Sequence, residues 1–123
     1  MQQTKPKYDP RFVSRLLGPL HKMWRRWIPA QERFMSFEAE HFIKTMRHQV
    51  DELQEILEEH GGNPVDRTVF SKEFADCISV ALNGLRWANE NDPVKVVQAI
   101  DDRNSRYADP HAIIDHYIEN GWG

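Results

Sequence analysis

Four carboxylates in the middle of the chain have the types and the spacing of a metal site. Glu52 and Glu55 are three residues apart, and so are Glu73 and Asp76. Residues three apart on an α-helix lie on neighbouring turns of one face, so each pair can direct two carboxylates to one point. Two such helices facing each other would surround a divalent cation with oxygen ligands, which Mg²⁺ and Mn²⁺ prefer to softer donors.

Apolar residues on either side of the acid pairs predict the two helices that carry them. They recur at alternating four- and three-residue steps, which is the period of a core-facing helical face. The first helix should end near His60, where the turn-forming run 61–64 follows. The second should begin at Asp66 or Thr68 and end around Asn89.

The two acid pairs have the same relation to their helices. At about 100° per residue, each pair lies at a similar offset from the apolar face of its own helix. Glu73 and Asp76 share their flank with Val80, Asn83 and Trp87, which are not typical of a face that water covers. The flank therefore predicts a partly enclosed cation site rather than an ordinary solvated surface.

The rest of the chain also favours helices, because no stretch alternates apolar and polar residues with the period of two that strands show. Residues 1–10 are predicted as a flexible lead-in and 11–123 as a single all-α domain. Gly18 and Pro19 should end or kink a first helix that Pro29 stops. The expected fold is a bundle of four or five helices, in which an antiparallel pair carries the acids and oligomerisation completes the core.

Charge is distributed unevenly along the chain, whose net charge is −3. Residues 1–33 carry eight Lys/Arg against two acids, and the remainder carries eight against seventeen. The basic N-terminal segment can contact phosphates or pair with the acidic body, and the sequence leaves both readings open. The single cysteine, Cys77, excludes an intrachain disulfide, and its place on an apolar helical face predicts a structural thiol.

The apolar residues form no targeting or membrane segment. No run approaches the roughly 18 apolar residues of a membrane span. The first eight residues are polar, and no apolar signal-peptide region follows them. A cytoplasmic location is the expectation.

Three sequence elements together resemble a known family. The run DELQE at 51–55 is followed, after seventeen residues, by EFAD at 73–76, and later by IDDRNSRY at 100–107. This order resembles that of the MazG-like all-α nucleoside triphosphate pyrophosphohydrolases, in which a Glu-Glu-x-x-Glu helix faces a Glu-x-x-Asp helix and an Asn/Arg-rich helix follows. The chain differs from the pattern at Asp51 and at 98–99, where Gln-Ala stands in place of a segment that often has a Lys.

The resemblance implies Mg²⁺-dependent hydrolysis of a nucleoside or deoxynucleoside triphosphate to the monophosphate and pyrophosphate, with Mn²⁺ as a substitute metal. By the resemblance, the metal ligands are Glu52, Glu55, Glu73 and Asp76. Glu52 or Glu55 would also orient the attacking water, which makes these two the catalytic candidates. A divalent cation suits this reaction because it screens and positions the triphosphate.

The resemblance also implies the substrate contacts and the partners. Phosphate contacts are expected from Lys72, Arg103, Asn104 and Arg106, and base contacts from Trp27, Asn83 and Trp87. The expected partners are a nucleoside triphosphate and further copies of the chain, as a homodimer or a dimer of dimers. No membrane partner is expected, and nucleic acid is not the partner that this reading favours.

Other classes of function compete with the enzyme. A non-enzymatic helical nucleic-acid-binding or interaction module would use the basic N-terminal segment, with Arg11, Arg15, Arg25 and Arg26. The acidic body and the lack of a recognisable recognition helix disfavour it. A di-iron bundle needs two Glu-x-x-His motifs, and the chain has one, at 38–41. A catalytically silent relative that binds nucleotides is a further alternative.

Overall fold

The computed structural model describes residues 7–34, 36–62 and 66–122, and within these ranges the chain is helical and contains no strand. The elements are α1 (Phe12–Phe34), α2 (Ala39–Glu59), a 3₁₀ turn (Arg67–Phe70), α3 (Ser71–Ala88), α4 (Pro93–Arg106) and α5 (Pro110–Glu119). The predicted all-α class is confirmed. The antiparallel pairing and the bundle arrangement stay predictions.

α1 is one helix that contains both prolines, so the prediction that Pro29 stops it is wrong. Each proline removes one backbone donor, which leaves the carbonyl four residues earlier without its helical partner. Those carbonyls belong to Arg15 and Arg25, which are exposed, as are Pro19 and Pro29, so water can satisfy them. The apolar face is continuous across both prolines, and burial of such a face stabilises a helix more than intrinsic propensity does.

The end of α2 follows from two glycines. Gly61 and Gly62 have φ values of 63° and 81°, a left-handed backbone that glycine adopts without a Cβ clash. The N–H of Gly62 donates to the carbonyl of Leu57 at 2.7 Å, which satisfies one of the last carbonyls of the helix. The predicted stop near His60 is confirmed, while residues 63–65 lie outside the described part of the chain.

The chain divides into two compact units, Met1–Ala81 and Leu82–Gly123. Among the described residues no hydrophobic side chain is buried, and large ones stay exposed in both units, for example Val50 and Ile118. The buried side chains are polar, Ser79 in the first unit and Asn83 in the second. The apolar faces predicted as core are therefore covered only in part within one copy of the chain.

Two further expectations concern the ends of the chain and the membrane. Residues 1–6 of the predicted lead-in lie outside the described residues. None of the described helices has both the length and the apolar content needed to cross a lipid bilayer.

Candidate metal centre

A capped 3₁₀ turn sets the start of α3. The backbone N–H and the hydroxyl of Thr68 both donate to Asp66 Oδ1, at 2.9 and 2.7 Å. These hydrogen bonds lower the pKa of Asp66 below its ordinary value of 3.8, and the bond from the hydroxyl has the larger effect. The turn leads directly into α3, whose first two turns carry Glu73 and Asp76. The predicted start at Asp66 or Thr68 therefore marks the cap that positions both acids.

Three of the four predicted metal ligands come together. Glu52 on α2 and Glu73 and Asp76 on α3 each contribute one carboxylate oxygen, and these three oxygens lie within 4.8 Å of one another. All three side chains are half-buried. We call this group the acid cluster. Its members come from two different helices, so helical periodicity alone did not specify the distance between them.

Glu73 is the member of the acid cluster least suited to a negative charge. Hydrogen bonding with the Glu52 carboxyl raises the pKa of Glu73 above its ordinary value of 4.5, and desolvation raises it further. The charges of Glu52 and Asp76 act in the same direction. Glu73 Oε2 is withdrawn from solvent and has no hydrogen-bond partner among the described residues. Such an oxygen costs free energy unless a proton or a cation compensates it.

His48 is a member of the site to which the sequence assigned no role. Its Nε2 lies 2.7 Å from Glu52 Oε1, one helical turn earlier on α2. The contact holds the Glu52 carboxylate in one orientation, and a protonated His48 opposes the rise of the Glu73 pKa. The four-residue spacing of His48 and Glu52 was the signal that sequence reasoning could have used.

The donor set of the acid cluster fits a hard divalent cation. Carboxylate oxygens are the ligands that Mg²⁺ and Mn²⁺ prefer, and the cluster offers three of them within 4.8 Å of one another. The orphaned Glu73 Oε2 is the oxygen that gains most from such an ion. Glu52, Glu73 and Asp76 would therefore hold the metal.

The remaining candidates of the first unit lie outside the acid cluster. Glu55 is exposed on α2, one turn beyond Glu52, and does not belong to the group of three oxygens. Lys72 is exposed in the first turn of α3, next to Glu73 in sequence. Trp27 lies on α1 with 49% of its surface exposed, so it is available for contact with a flat ring.

The second unit carries the other predicted substrate contacts. Asn83 is buried and Trp87 half-buried on the last turns of α3. The three polar candidates of α4 are all exposed: Arg103, Asn104 and Arg106. The Arg106 guanidinium lies over the ring of Tyr107, 5.9 Å from its centroid. Their roles in substrate binding stay predictions.

Cys77 follows Asp76 directly but does not have the properties of a nucleophile. It is half-buried, and burial raises the pKa of its thiol above the ordinary value of 9.0. The nearby charges of Asp76 and Glu73 raise it further. The reactive form of cysteine is the thiolate, so at neutral pH this thiol is inert, as the sequence predicted.

The comparisons with known proteins neither support nor contradict the resemblance, which depends on the sequence motifs alone. No family model, no curated protein and no solved structure matches the chain. What the described residues show is an all-α chain with a cluster of three acids that could hold a metal ion.

Proposed function

We propose that the chain is a Mg²⁺-dependent nucleoside triphosphate pyrophosphohydrolase. The observation that carries this proposal is the acid cluster, in which both motifs of the resemblance contribute ligands to one point. Like charges within 4.8 Å of one another repel, and this repulsion adds to the hydrogen bond with Glu52 and to desolvation, which raise the pKa of Glu73. A divalent cation held by the cluster would relieve the repulsion and would screen the charge of a triphosphate.

Different residues of the chain have different roles in the proposed reaction. Glu52, Glu73 and Asp76 would hold the cation, which would screen the charge of the triphosphate. His48 keeps the Glu52 carboxylate oriented through its contact at 2.7 Å. Glu52 is thus engaged from two sides, by His48 and by Glu73.

Of Glu52 and Glu55, Glu55 is the better candidate for the residue that activates the attacking water. It is exposed one turn beyond Glu52 and stands outside the group of three oxygens, so its carboxylate is free to accept a proton. In the proposed reaction that proton comes from the water that attacks the α-phosphorus. The bond to the bridging oxygen breaks, and pyrophosphate leaves.

The substrate contacts follow the resemblance. Lys72 and the Arg/Asn group of α4 contact phosphates, and Trp27, Asn83 and Trp87 contact the base. Lys72 is the best supported of these, because it adjoins Glu73 and is exposed.

A second copy of the chain completes the fold in this proposal. Among the described residues the core holds no buried hydrophobic side chain, and large apolar side chains are exposed on every α-helix. Apolar surface on this scale is typical of chains that associate. Light scattering should therefore give a mass near two or four times 14.5 kDa, and a monomer at micromolar concentration would contradict this part of the proposal.

The test is a panel of nucleoside and deoxynucleoside triphosphates with Mg²⁺, in which pyrophosphate and phosphate are measured separately. We expect pyrophosphate and the monophosphate, with turnover lost when the metal is chelated. Glu73→Gln should lose turnover, while Glu59→Gln, which removes an exposed charge from α2, should keep it. Release of phosphate alone, or full turnover in Glu73→Gln, would contradict the proposal.

A further inference from the structure

The polar face of α1 carries a narrow row of cations. At about 100° per residue, Arg15, Lys22, Arg26 and Arg33 lie within about 40° of one another around the helix. All four are exposed, and we call them the basic stripe. From Arg15 to Arg33 the stripe extends about 27 Å along the helix axis. Glu32, the single acid within α1, falls on a different part of the circumference.

A shallow groove lies on the helix surface beside the centre of the stripe. The groove has a volume of about 310 Å³ and is lined by His21, Lys22, Arg25 and Arg26. Among the described residues no carboxylate lies at ion-pairing distance from Lys22, Arg25 or Arg26. The basic N-terminal segment therefore does not use these cations to pair with the acidic body, which was one of the two readings that the sequence left open.

The partial burial of the apolar face of α1, opposite the stripe, favours a polyanion over a lipid surface as the partner. A helix that binds a membrane must place its apolar face in the lipid. The centre of the apolar face of α1 is already partly covered, since its members are half-buried: Leu16, Leu20, Met23, Trp24 and Ile28. Phe12, Val13, Leu17 and Trp27 on the same side of the helix stay exposed, so the apolar face is covered in part, whereas all four cations of the basic stripe are accessible. The cations are thus the more fully available surface.

We propose that the basic stripe binds the phosphodiester backbone of a nucleic acid without reading its bases. Four cations along about 27 Å match about eight base pairs of a duplex at 3.4 Å each. One exposed ring, that of Phe34 under Arg33, lies at the C-terminal end of the stripe, whereas Trp24 and Trp27 lie on the apolar face. The stripe therefore does not offer the row of rings on which successive single-stranded bases stack. Contacts of this kind fix position on the backbone and carry no sequence information. The proposal does not depend on the hydrolytic activity.

The charge of the rest of the chain limits this contact to α1. Residues 34–123 carry eight Lys/Arg against seventeen acids and repel a phosphate backbone. About four or five phosphates are therefore neutralised, and each contributes about −0.9 to the slope of log affinity against log salt. The expected slope is about −4, so binding is measurable at 50 mM NaCl and weak at 200 mM.

The experiment is fluorescence anisotropy with two 20-base-pair DNA duplexes of unrelated sequence and one 20-nucleotide single strand, titrated with the full chain at several salt concentrations. We expect equal affinity for the two duplexes and weaker binding of the single strand, whose charge density is lower. A marked preference between the duplexes, or tighter binding of the single strand, would overturn binding through the backbone alone.

A matched pair of variants locates the contact. Lys22→Gln/Arg26→Gln should weaken duplex binding by about tenfold or more and reduce the slope by about 2, because two phosphate contacts are lost. Lys44→Gln/Arg47→Gln removes the same charge from exposed positions of α2 and should change the affinity by less than about twofold. Glutamine retains helix propensity, and circular dichroism checks the fold.

Three results would overturn the proposal. The first is no duplex binding at 50 mM NaCl. The second is equal loss of affinity in the two double variants, which would indicate net charge rather than the stripe. The third is binding to phosphatidylserine vesicles with no binding to DNA, which would assign α1 to a lipid surface. Nucleotide hydrolysis should be unchanged in Lys22→Gln/Arg26→Gln, so failure here and failure of the hydrolase proposal are distinguishable.

Discussion

The acid cluster and the basic stripe are both groups of like charges in the first unit, and they are built in opposite ways. Two helices bring the acids together, and their oxygens lie within 4.8 Å in half-buried positions. The stripe belongs to one helix, and its cations are spread over about 27 Å at exposed positions. The first arrangement concentrates charge at a point, and the second distributes it along a line.

Screening explains why the two groups suit different partners. The Debye length at physiological salt is about 8 Å, so charges within 4.8 Å of one another and partly shielded from water repel. Neighbouring cations of the stripe are about 6–10 Å apart along the helix and exposed, so water and salt screen them more. A concentrated group is neutralised by a small ion of high charge, whereas a distributed group is matched by a polyanion.

The largest expected effects come from removing one acid inside the cluster and one outside it, which tests whether the cluster alone binds the cation. Asp76→Asn should reduce turnover by more than about a hundredfold and abolish the effect of Mg²⁺ on stability, since a ligand is lost. Glu55→Gln should reduce turnover by about a hundredfold and leave that effect intact, because Glu55 acts on the water. Steady-state kinetics and thermal melts with and without Mg²⁺ separate the two. Loss of the Mg²⁺ effect in Glu55→Gln would place Glu55 among the ligands.

Thermal melting of the metal-free and Mg²⁺-saturated protein sharpens the comparison further. Mg²⁺ at about a hundred times its Kd should raise the Tm by about 10 °C. Lys22→Gln/Arg26→Gln should show the same increase, because the stripe does not bind the cation. Glu73→Gln should show none, yet without metal at pH 7 it should melt above the unmodified chain, since it removes a charge that the cluster repels.

The carboxyl of Glu73 should also make the thermal stability of the metal-free protein depend on pH. The folded state raises the pKa of Glu73 above 4.5, so its ionised form destabilises the metal-free protein at neutral pH. That penalty decreases as the pH falls through the raised pKa toward 4.5. The difference in Tm between Glu73→Gln and the unmodified chain should therefore shrink as the pH falls from 7 toward 4.5. A constant difference over that range would argue against repulsion within the cluster.

The smallest expected effect concerns the cap that positions α3. Asp66→Ala removes the acceptor of both Thr68 hydrogen bonds and should weaken Mg²⁺ binding by about two- to fivefold, through a less fixed first turn of α3. It should leave DNA binding unchanged. The pKa of Asp66 is lowered in the folded state, so the cap stabilises above 3.8 and is lost as the pH falls below that value. Unchanged Mg²⁺ affinity in Asp66→Ala would show that the cap does not contribute to positioning Glu73 and Asp76.

Several features of the fold could be predicted because they depend on neighbours in sequence. The helical faces, the stop at His60 and the cap at Asp66 follow from spacing, glycine and capping chemistry, while α3 itself begins at Ser71, after a 3₁₀ turn that the sequence did not predict. The prediction at Pro29 was wrong because the local effect of a proline does not end a helix whose apolar face continues past it. The exposure of Val50 and Ile118 could not be predicted, since periodicity shows which face is apolar and not how far it is covered.

The sequence by itself determined the all-α class, the two acid pairs and the basic N-terminal segment, because composition and spacing along one helix are enough for each. Only the tertiary structure decided that Glu52, Glu73 and Asp76 meet while Glu55 stays in solvent, and that His48 holds Glu52. The physical reason is that distances within a helix follow from residue number, whereas distances between helices depend on packing that no local pattern encodes.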